Sequence, residues 1–251
     1  SLITESKIRR QADFVLAIGA NGPRWFSLAG YARKKIFPSA YFLDLKARFL
    51  PDFAARDPKA PSVVAFVGRL EVEKGFHLFM QAVPFVKHNA RFLVIGGGTL
   101  EPLIGRAAPE APRVEMAGVL PMSRVPDFLR TVDIVVLPST STNDGWGAVV
   151  SEALAAGAAV VVSSKVGASM CVKKYGNGIV VRANTPEDIA SAIDHLVDSG
   201  SLSSEKRRQR HEWAIAHLDQ SAGANYIVNI LDHIYRETRR PGSFVDEKII
   251  G

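Results

Sequence analysis

Between Ser62 and Ser199, short and largely apolar runs alternate with segments of helical character. The runs are Ser62–Gly68 (SVVAFVG), Arg91–Gly98 (RFLVIGGG), Arg113–Gly118 (RVEMAG), Asp133–Ser139 (DIVVLPS), Ala158–Ser164 (AAVVVSS) and Gly176–Ala183 (GNGIVVRA). A strand with one wet face alternates polar and apolar residues, whereas a run without that alternation is buried on both faces. Helices between such runs supply the two covering layers. The fold class is therefore α/β, a Rossmann-like doubly wound sheet of six parallel strands. Of the intervening segments, GFHLFMQAVPFVKH reads as a helix that Pro84 kinks or ends. TLEPLIGRAA, RVPDFLRTV and the stretch after Asp144 read as helices too. TPEDIASAIDHLVDSG has Thr185 as N-cap, Pro186 at the first position, Glu187 and Asp188 in the first turn, and a stop at Gly200.

Outside residues 62–200 the pattern changes. Residues 1–50 hold one strand-like run, ADFVLAIG, too little for a second domain alone. Residues 51–61 (PDFAARDPKAP) are rich in proline and charge and read as a linker. Residues 201–251 read as two flanking helices, the second with an apolar stripe through Tyr226, Ile230, Leu231 and Ile234.

Composition narrows the function classes. A net charge of +6 favours anionic partners: nucleic acid, acidic lipid headgroups or phosphorylated small molecules. Basic and aromatic residues do not interleave on one element, so nucleic acid is not the expected partner. The single cysteine, Cys171, excludes an intrachain disulfide framework and a cysteine-based zinc site, and fits a reducing compartment. No basic cluster followed by an apolar run opens the sequence, so no secretory leader is read, and no apolar run reaches the ~18 residues of a membrane span. The expected location is the cytoplasm. The six histidines have no metal-ligand spacing, and His211 and His217 read as surface helix residues. No Asp-x-Asp pair, G-x-S-x-G elbow or G-x-x-x-x-G-K-[ST] loop is present, so no metal is expected.

Open α/β sheets bind ligands at the carboxyl ends of their strands, where the strand order reverses. If the order is 3-2-1-4-5-6, the crevice lies between the first and fourth of the six strands. The loops there are GRLEVEKG (68–75) and PSTSTNDGWG (138–147). In the first, beside Gly68, Arg69 offers a fork for two phosphate oxygens and Lys74 a mobile point charge. The alternative is a solvated basic loop with Glu71 and Glu73 as partners. In the second, Gly145 and Gly147 permit close backbone approach, and the amides at the following helix start attract phosphate. Asp144 reads equally as an ordinary N-cap, and Trp146 as core filling. Glu152 stands about two turns into that helix among small and apolar residues, where a carboxylate is costly unless paired. Ribose hydroxyls would suit it; otherwise it reaches solvent or pairs with an arginine or lysine. Gly96–Gly98 read as a tight turn at the cleft edge, because Glu101 stands where a G-x-G-x-x-G fingerprint needs glycine.

In order and spacing, GRLEVEKG, AGVLP, DIVVLPS and DGWGAVVSEALAAGAAVVVSS resemble the donor-binding C-terminal half of GT-B retaining glycosyltransferases of family 4, over about residues 60–200. The resemblance implies that Arg69 and Lys74 hold the diphosphate of a nucleotide-sugar donor and that Glu152 binds the ribose. The backbone at Val119 and Leu120 would meet the base. Asp144, where the family commonly has Glu, would face the sugar and phosphates with the amides of Trp146, Gly147 and Ala148 nearby. No cofactor or metal is implied, since the basic pair takes a cation's role at the leaving diphosphate. One departure lies further on: in KVGASMC, Val166 and Met170 replace the first glycine and the acid of a Gly-Gly-x-x-Glu pattern. The flanks resemble the end of an acceptor-side N-terminal domain with its crossover (1–50), and C-terminal helices that pack back toward it. The implied partners are a glycan or lipid-linked acceptor, with peripheral association at the cytoplasmic membrane face, and a separate N-terminal domain or subunit. Two alternatives stay open: a nucleotide-sugar-binding subunit that relies on a separate acceptor domain, and a sugar-nucleotide epimerase of the same fold superfamily.

Overall fold

A computed structural model of the chain describes residues 8–50, 53, 60–107, 114–172, 176–182 and 184–246; most of the expected linker lies outside them. Among the described residues eight strands form two sheets: β1 (Val15–Ile18) with β2 (Ile36–Ser39), and a six-stranded sheet of β3 (Ser62–Val67), β4 (Ala90–Ile95), β5 (Val114–Gly118), β6 (Ile134–Leu137), β7 (Ala159–Ser163) and β8 (Gly178–Val181). The larger sheet has the order β5-β4-β3-β6-β7-β8 and every neighbouring pair is parallel. The helices are α1 (Gly22–Leu28), α2 (Leu45–Arg48), α3 (Phe76–Ala82), α4 (Pro102–Ala107), α5 (Val125–Arg130), α6 (Ala148–Ala155), α7 (Pro186–Asp198), α8 (Ser204–Leu218) and α9 (Gln220–Tyr235).

The unbroken apolar runs behave as two-sided strands require. Val64, Phe66, Ile134, Val136, Ala159 and Val161 belong to one core with Phe76 and Phe79 of α3 and Ile189 and Ile193 of α7. Their neighbours Ala65, Val67, Val135, Leu137, Val160 and Val162 belong to the other, with Val150 and Leu154 of α6 and Ala214 and Leu218 of α8. Successive side chains point to opposite faces, so β3, β4, β6 and β7 each serve both layers, whereas β5 at the edge buries Val114 and leaves Glu115 and Met116 exposed. Helix α3 ends at Ala82 and continues as a single 3₁₀ turn through Pro84, whose missing N–H ends the α ladder. At α7 the Thr185 hydroxyl accepts the Asp188 amide at 3.2 Å. Thr185→Ala is expected to cost about 1 kcal/mol of stability, read as a lower midpoint in urea unfolding.

The N-terminal flank holds two strands, not the single run read from sequence. β2 is short and contains Pro38. Proline is tolerated there because both strands of a two-stranded sheet are edges, with N–H positions that need no ladder partner. The C-terminal helices reach this flank. Asp219 caps α9 through Ser221, and its other carboxylate oxygen accepts the amides of Leu45 and Lys46 at 3.1 and 3.0 Å. Tyr235 donates to Asp13 at 3.0 Å, and Arg240 lies 4.0 Å over the Phe37 ring.

Helix α8 departs from the sequence reading in its histidines. His217 is buried against Trp213, ring centroids 4.7 Å apart, with Nδ1 donating to the Trp213 carbonyl at 2.8 Å. His211 is half-buried and donates to the Ala155 carbonyl at 2.6 Å. Neither is a free surface residue: His211 lies on the face by which α8 packs on α6, and His217 is buried near the end of α8. Arg207 and Arg210 are buried on the same seam, on the carbonyls of Val132 and Gly157, with Arg207 also paired to Asp133 at 3.3 Å. Among the described residues no helix is long and apolar enough to cross a membrane.

Candidate functional site

The strand order reverses between β3 and β6, the place at whose carboxyl ends open α/β sheets bind their ligands. The loop after each strand is tied to the other. Thr140 donates its amide to the Glu73 carbonyl at 2.9 Å and its hydroxyl to the Val72 carbonyl at 2.8 Å. Gly75 takes a left-handed φ of 71°, and a Cβ there would lie 2.0 Å from the Pro138 carbonyl oxygen, so a side chain would separate the loops.

This knitting brings Lys74 and Asp144 together as an ion pair. Asp144 also accepts the Ser139 hydroxyl at 3.1 Å. Ser139 is itself held, its carbonyl accepting the Ser163 hydroxyl at 2.6 Å, while Asn184 donates to the neighbouring Pro138 carbonyl at 2.9 Å. Lys74 therefore has Asp144 as its partner, not the neighbouring glutamates. Glu71 is committed elsewhere: its carboxylate takes the Thr99 hydroxyl at 2.6 Å and amide at 3.0 Å. Those bonds, the hydroxyl first, hold the Glu71 carboxyl below its usual value, with a smaller pull from Arg69. Arg69 is exposed at the mouth, directly after Gly68.

The N-cap alternative for Asp144 is corrected. Asp144 closes a 3₁₀ turn, Thr142–Asp144, and the residue capping α6 is Gly147 at φ 85°. The two glycines, Gly145 and Gly147, break the chain between that turn and the helix, so the aspartate cannot reach the cap position. The α6 start, before Ala148, carries no side-chain cap bond. The Trp146 side chain is core filling: it is fully buried, donates to the Ser151 hydroxyl at 2.9 Å and lies 6.1 Å from Phe244. Only its backbone is on the cleft loop, and its carbonyl accepts the Ala168 amide at 2.8 Å.

Glu152 is buried and pairs with Arg48 of α2, Nη1 to Oε1 at 2.9 Å. Burial pushes its carboxyl up, and Arg48 pulls it back. Sequence reading left a basic partner open but could not name Arg48, which arrives from the crossover segment. At the other rim, Val119 is exposed and Leu120 half-buried just beyond β5. Gly96 lets the turn after β4 close on the first loop, since a Cβ there would sit 1.8 Å from the Gly68 carbonyl oxygen. The end of β1 touches the same region, the Ala20 amide donating to the Gly167 carbonyl at 2.9 Å. Among the described residues no group of three His, Cys, Asp or Glu side chains is arranged to hold a metal ion.

Residues 61–199 match the family described as glycosyl transferases group 1. The chain is 31% identical over 140 residues to an uncharacterized glycosyltransferase of Methanocaldococcus jannaschii, a match covering 54% of this chain and 35% of that protein. It is 29% identical over 190 residues to the D-inositol 3-phosphate glycosyltransferase of Acidothermus cellulolyticus, covering 70% and 41%. Anabaena HepE in complex with UDP superposes with a TM-score of 0.76 at 19% identity, covering 92% of this chain and 66% of that one. The lipopolysaccharide outer core galactosyltransferase WaaB, apo form, superposes with a TM-score of 0.73 at 19% identity, covering 95% and 66%. The matches thus span well under half of these two curated relatives and about two thirds of the solved chains. The superpositions give the GT-B fold of those structures, and the family match extends over more than half of this sequence: the chain belongs to the glycosyl transferases group 1 family.

Proposed function

We propose that this chain carries the donor side of a retaining glycosyltransferase, which moves a sugar from a nucleotide-diphosphate sugar to a glycan or lipid-linked acceptor in surface polysaccharide or glycoconjugate synthesis. The observation that carries this reading is the Lys74–Asp144 pair at the strand-order reversal, next to exposed Arg69. A basic pair at strand ends suits a diphosphate, and the solved neighbours with UDP and with UDP-glucose support a nucleotide-sugar donor.

In this reading Arg69 and Lys74 take the charge that develops on the leaving diphosphate, the work a cation would do. The bond from the anomeric carbon to the phosphate oxygen breaks, the acceptor hydroxyl joins on the same face, and its proton passes to the leaving phosphate. Asp144, held by Ser139, keeps Lys74 aimed until the diphosphate shares it. The amides of Trp146, Gly147 and Ala148 add donors, Val119 and Leu120 border the base, and Glu152 takes the ribose hydroxyls. Residues 8–50 form the acceptor-side edge of the cleft.

Calorimetry with UDP-, GDP-, ADP- and dTDP-sugars tests the reading: one of them binds, and binding by none overturns it. Release of nucleoside diphosphate with a new glycosidic product supports transfer, while isomerised sugar points to an epimerase. Glu152→Gln is expected to weaken the binding donor by about 1–3 kcal/mol, the scale of a charge-assisted hydrogen bond.

A further inference from the structure

We infer that Arg48 is a positioning residue for the nucleoside end of the site, holding the Glu152 carboxylate charged and in one orientation for ribose hydroxyls. This rests on the reading of Glu152 as the ribose contact.

Three observations carry it. First, Glu152 lies in a run, Val150–Ala155, in which every residue is buried. Its side chain is 7% exposed, so without donor the carboxylate needs a countercharge from the protein, and the Arg48 guanidinium at 2.9 Å provides one. An ionised carboxylate has acceptor capacity beyond one cation contact, which leaves Glu152 able to take further donors. Second, Arg48 is not sunk in the core with its partner. Its side chain is 27% exposed and spans from Glu152 to the Met122 carbonyl, to which it donates at 3.4 Å. Met122 belongs to the loop that begins at Val119 and Leu120. One guanidinium thus links the loop read as meeting the base to the acid read as meeting the ribose, two parts that are joined in every nucleoside. Third, the helix bearing Arg48 is fixed. Asp219 accepts its first amides, and Phe49, next in sequence, is buried with Arg48 5.6 Å from its ring centroid. A tethered arginine suits aiming a carboxylate better than trailing after a mobile ligand.

The other charged groups on elements packed against α6 are directed elsewhere. Arg207, Arg210 and His211 of α8 bond the carbonyls at the far end of α6, from Ala155 to Gly157. On and beside α5, Asp127 pairs with Arg124 and Arg130, and Asp133 at the start of β6 pairs with Arg207. Arg48 is thus the cation that bears on Glu152, opposing the upward push of burial.

The test is calorimetric titration of the whole chain with the nucleoside diphosphate of the best-binding donor (UDP, GDP, ADP or dTDP), and with the same compound lacking both ribose hydroxyls. Arg48→Ala is expected to weaken the intact nucleotide about tenfold, and Arg48→Lys less. The Arg48→Ala loss grows as the pH is lowered, because a buried carboxyl without its cation takes up a proton more readily. The nucleotide lacking ribose hydroxyls is indifferent to Arg48, and in a Glu152→Gln background Arg48→Ala adds little. Tighter or unchanged binding in Arg48→Ala, with Glu152→Gln still weakening it, overturns the inference. If Glu152→Gln itself changes nothing, the ribose reading falls. Should Arg48→Ala not fold, Arg48→Lys and the hydroxyl-free nucleotide decide: equal loss for both nucleotides means Arg48 only braces the fold.

Discussion

Arg69→Ala is expected to remove about 2–3 kcal/mol of nucleoside-diphosphate binding, roughly 30- to 150-fold in affinity, while leaving the folded protein's stability within about 0.5 kcal/mol. The asymmetry follows from where the residue sits. Arg69 is exposed on the first loop, and the acid beside it, Glu71, already holds the Thr99 hydroxyl and amide. Removing the guanidinium therefore breaks little in the protein alone but, in the proposed reading, deletes a two-pronged phosphate contact. Lys74 differs. It is paired with Asp144, so an arriving diphosphate exchanges one anion for another, and Lys74→Ala costs less binding while unsettling the Asp144 carboxylate. Calorimetry of both variants at matched ionic strength checks the ranking, and urea unfolding checks the stability. Unchanged affinity in Arg69→Ala would sink the phosphate assignment.

The largest stability effect is expected at Trp146. Trp146→Ala should cost about 3–5 kcal/mol, a sizeable part of the ~5–15 kcal/mol that holds a typical domain together. The ring is fully buried, and its removal leaves a cavity facing Phe244 and takes the indole donor from Ser151. Trp146→Phe refills most of that space and loses mainly the hydrogen bond, so it should cost less than half as much. Because the Trp146 backbone is part of the cleft loop, Trp146→Ala should also weaken donor binding, and added donor should raise its unfolding midpoint. Urea titration with and without nucleotide reads both effects. A Trp146→Ala protein as stable as the original would contradict the packing described.

What the sequence discloses divides by range. The central strands and their two-sided burial are written in local runs such as AVVV at Ala159–Val162, where every position is apolar and no solvent face is possible. The helix start at Thr185 is local too, hydroxyl and amide being three residues apart. The site loops become legible once strand ends and a reversal of order are assumed, since both hang directly on β3 and β6. β2 is hidden because IFPS is four residues long with a proline, a pattern that reads as a turn. The Lys74–Asp144 and Arg48–Glu152 pairs join segments far apart in sequence, and nothing within either segment marks its partner. Asp144 reads as an N-cap because it precedes a helix, yet the glycines at 145 and 147 turn the chain before that helix begins. His217 resembles a surface residue in a polar helix, and its burial depends on the face α8 presents to its neighbours.

Asp219 gives the molecule an order of completion. The residues it clasps, Leu45 and Lys46, are translated long before it, and the whole six-stranded sheet is made in between. During synthesis the segment that carries Arg48 therefore lacks its clasp until the nascent chain extends past α8. The loops on β3 and β6, proposed here for the phosphates, can form earlier, and the part proposed for the nucleoside is finished by the last helices. A chain stalled or cut before Asp219 would keep Arg69, Lys74 and Asp144 but lose the clasp on Arg48, a truncation that in the proposed reading parts diphosphate capture from nucleoside recognition.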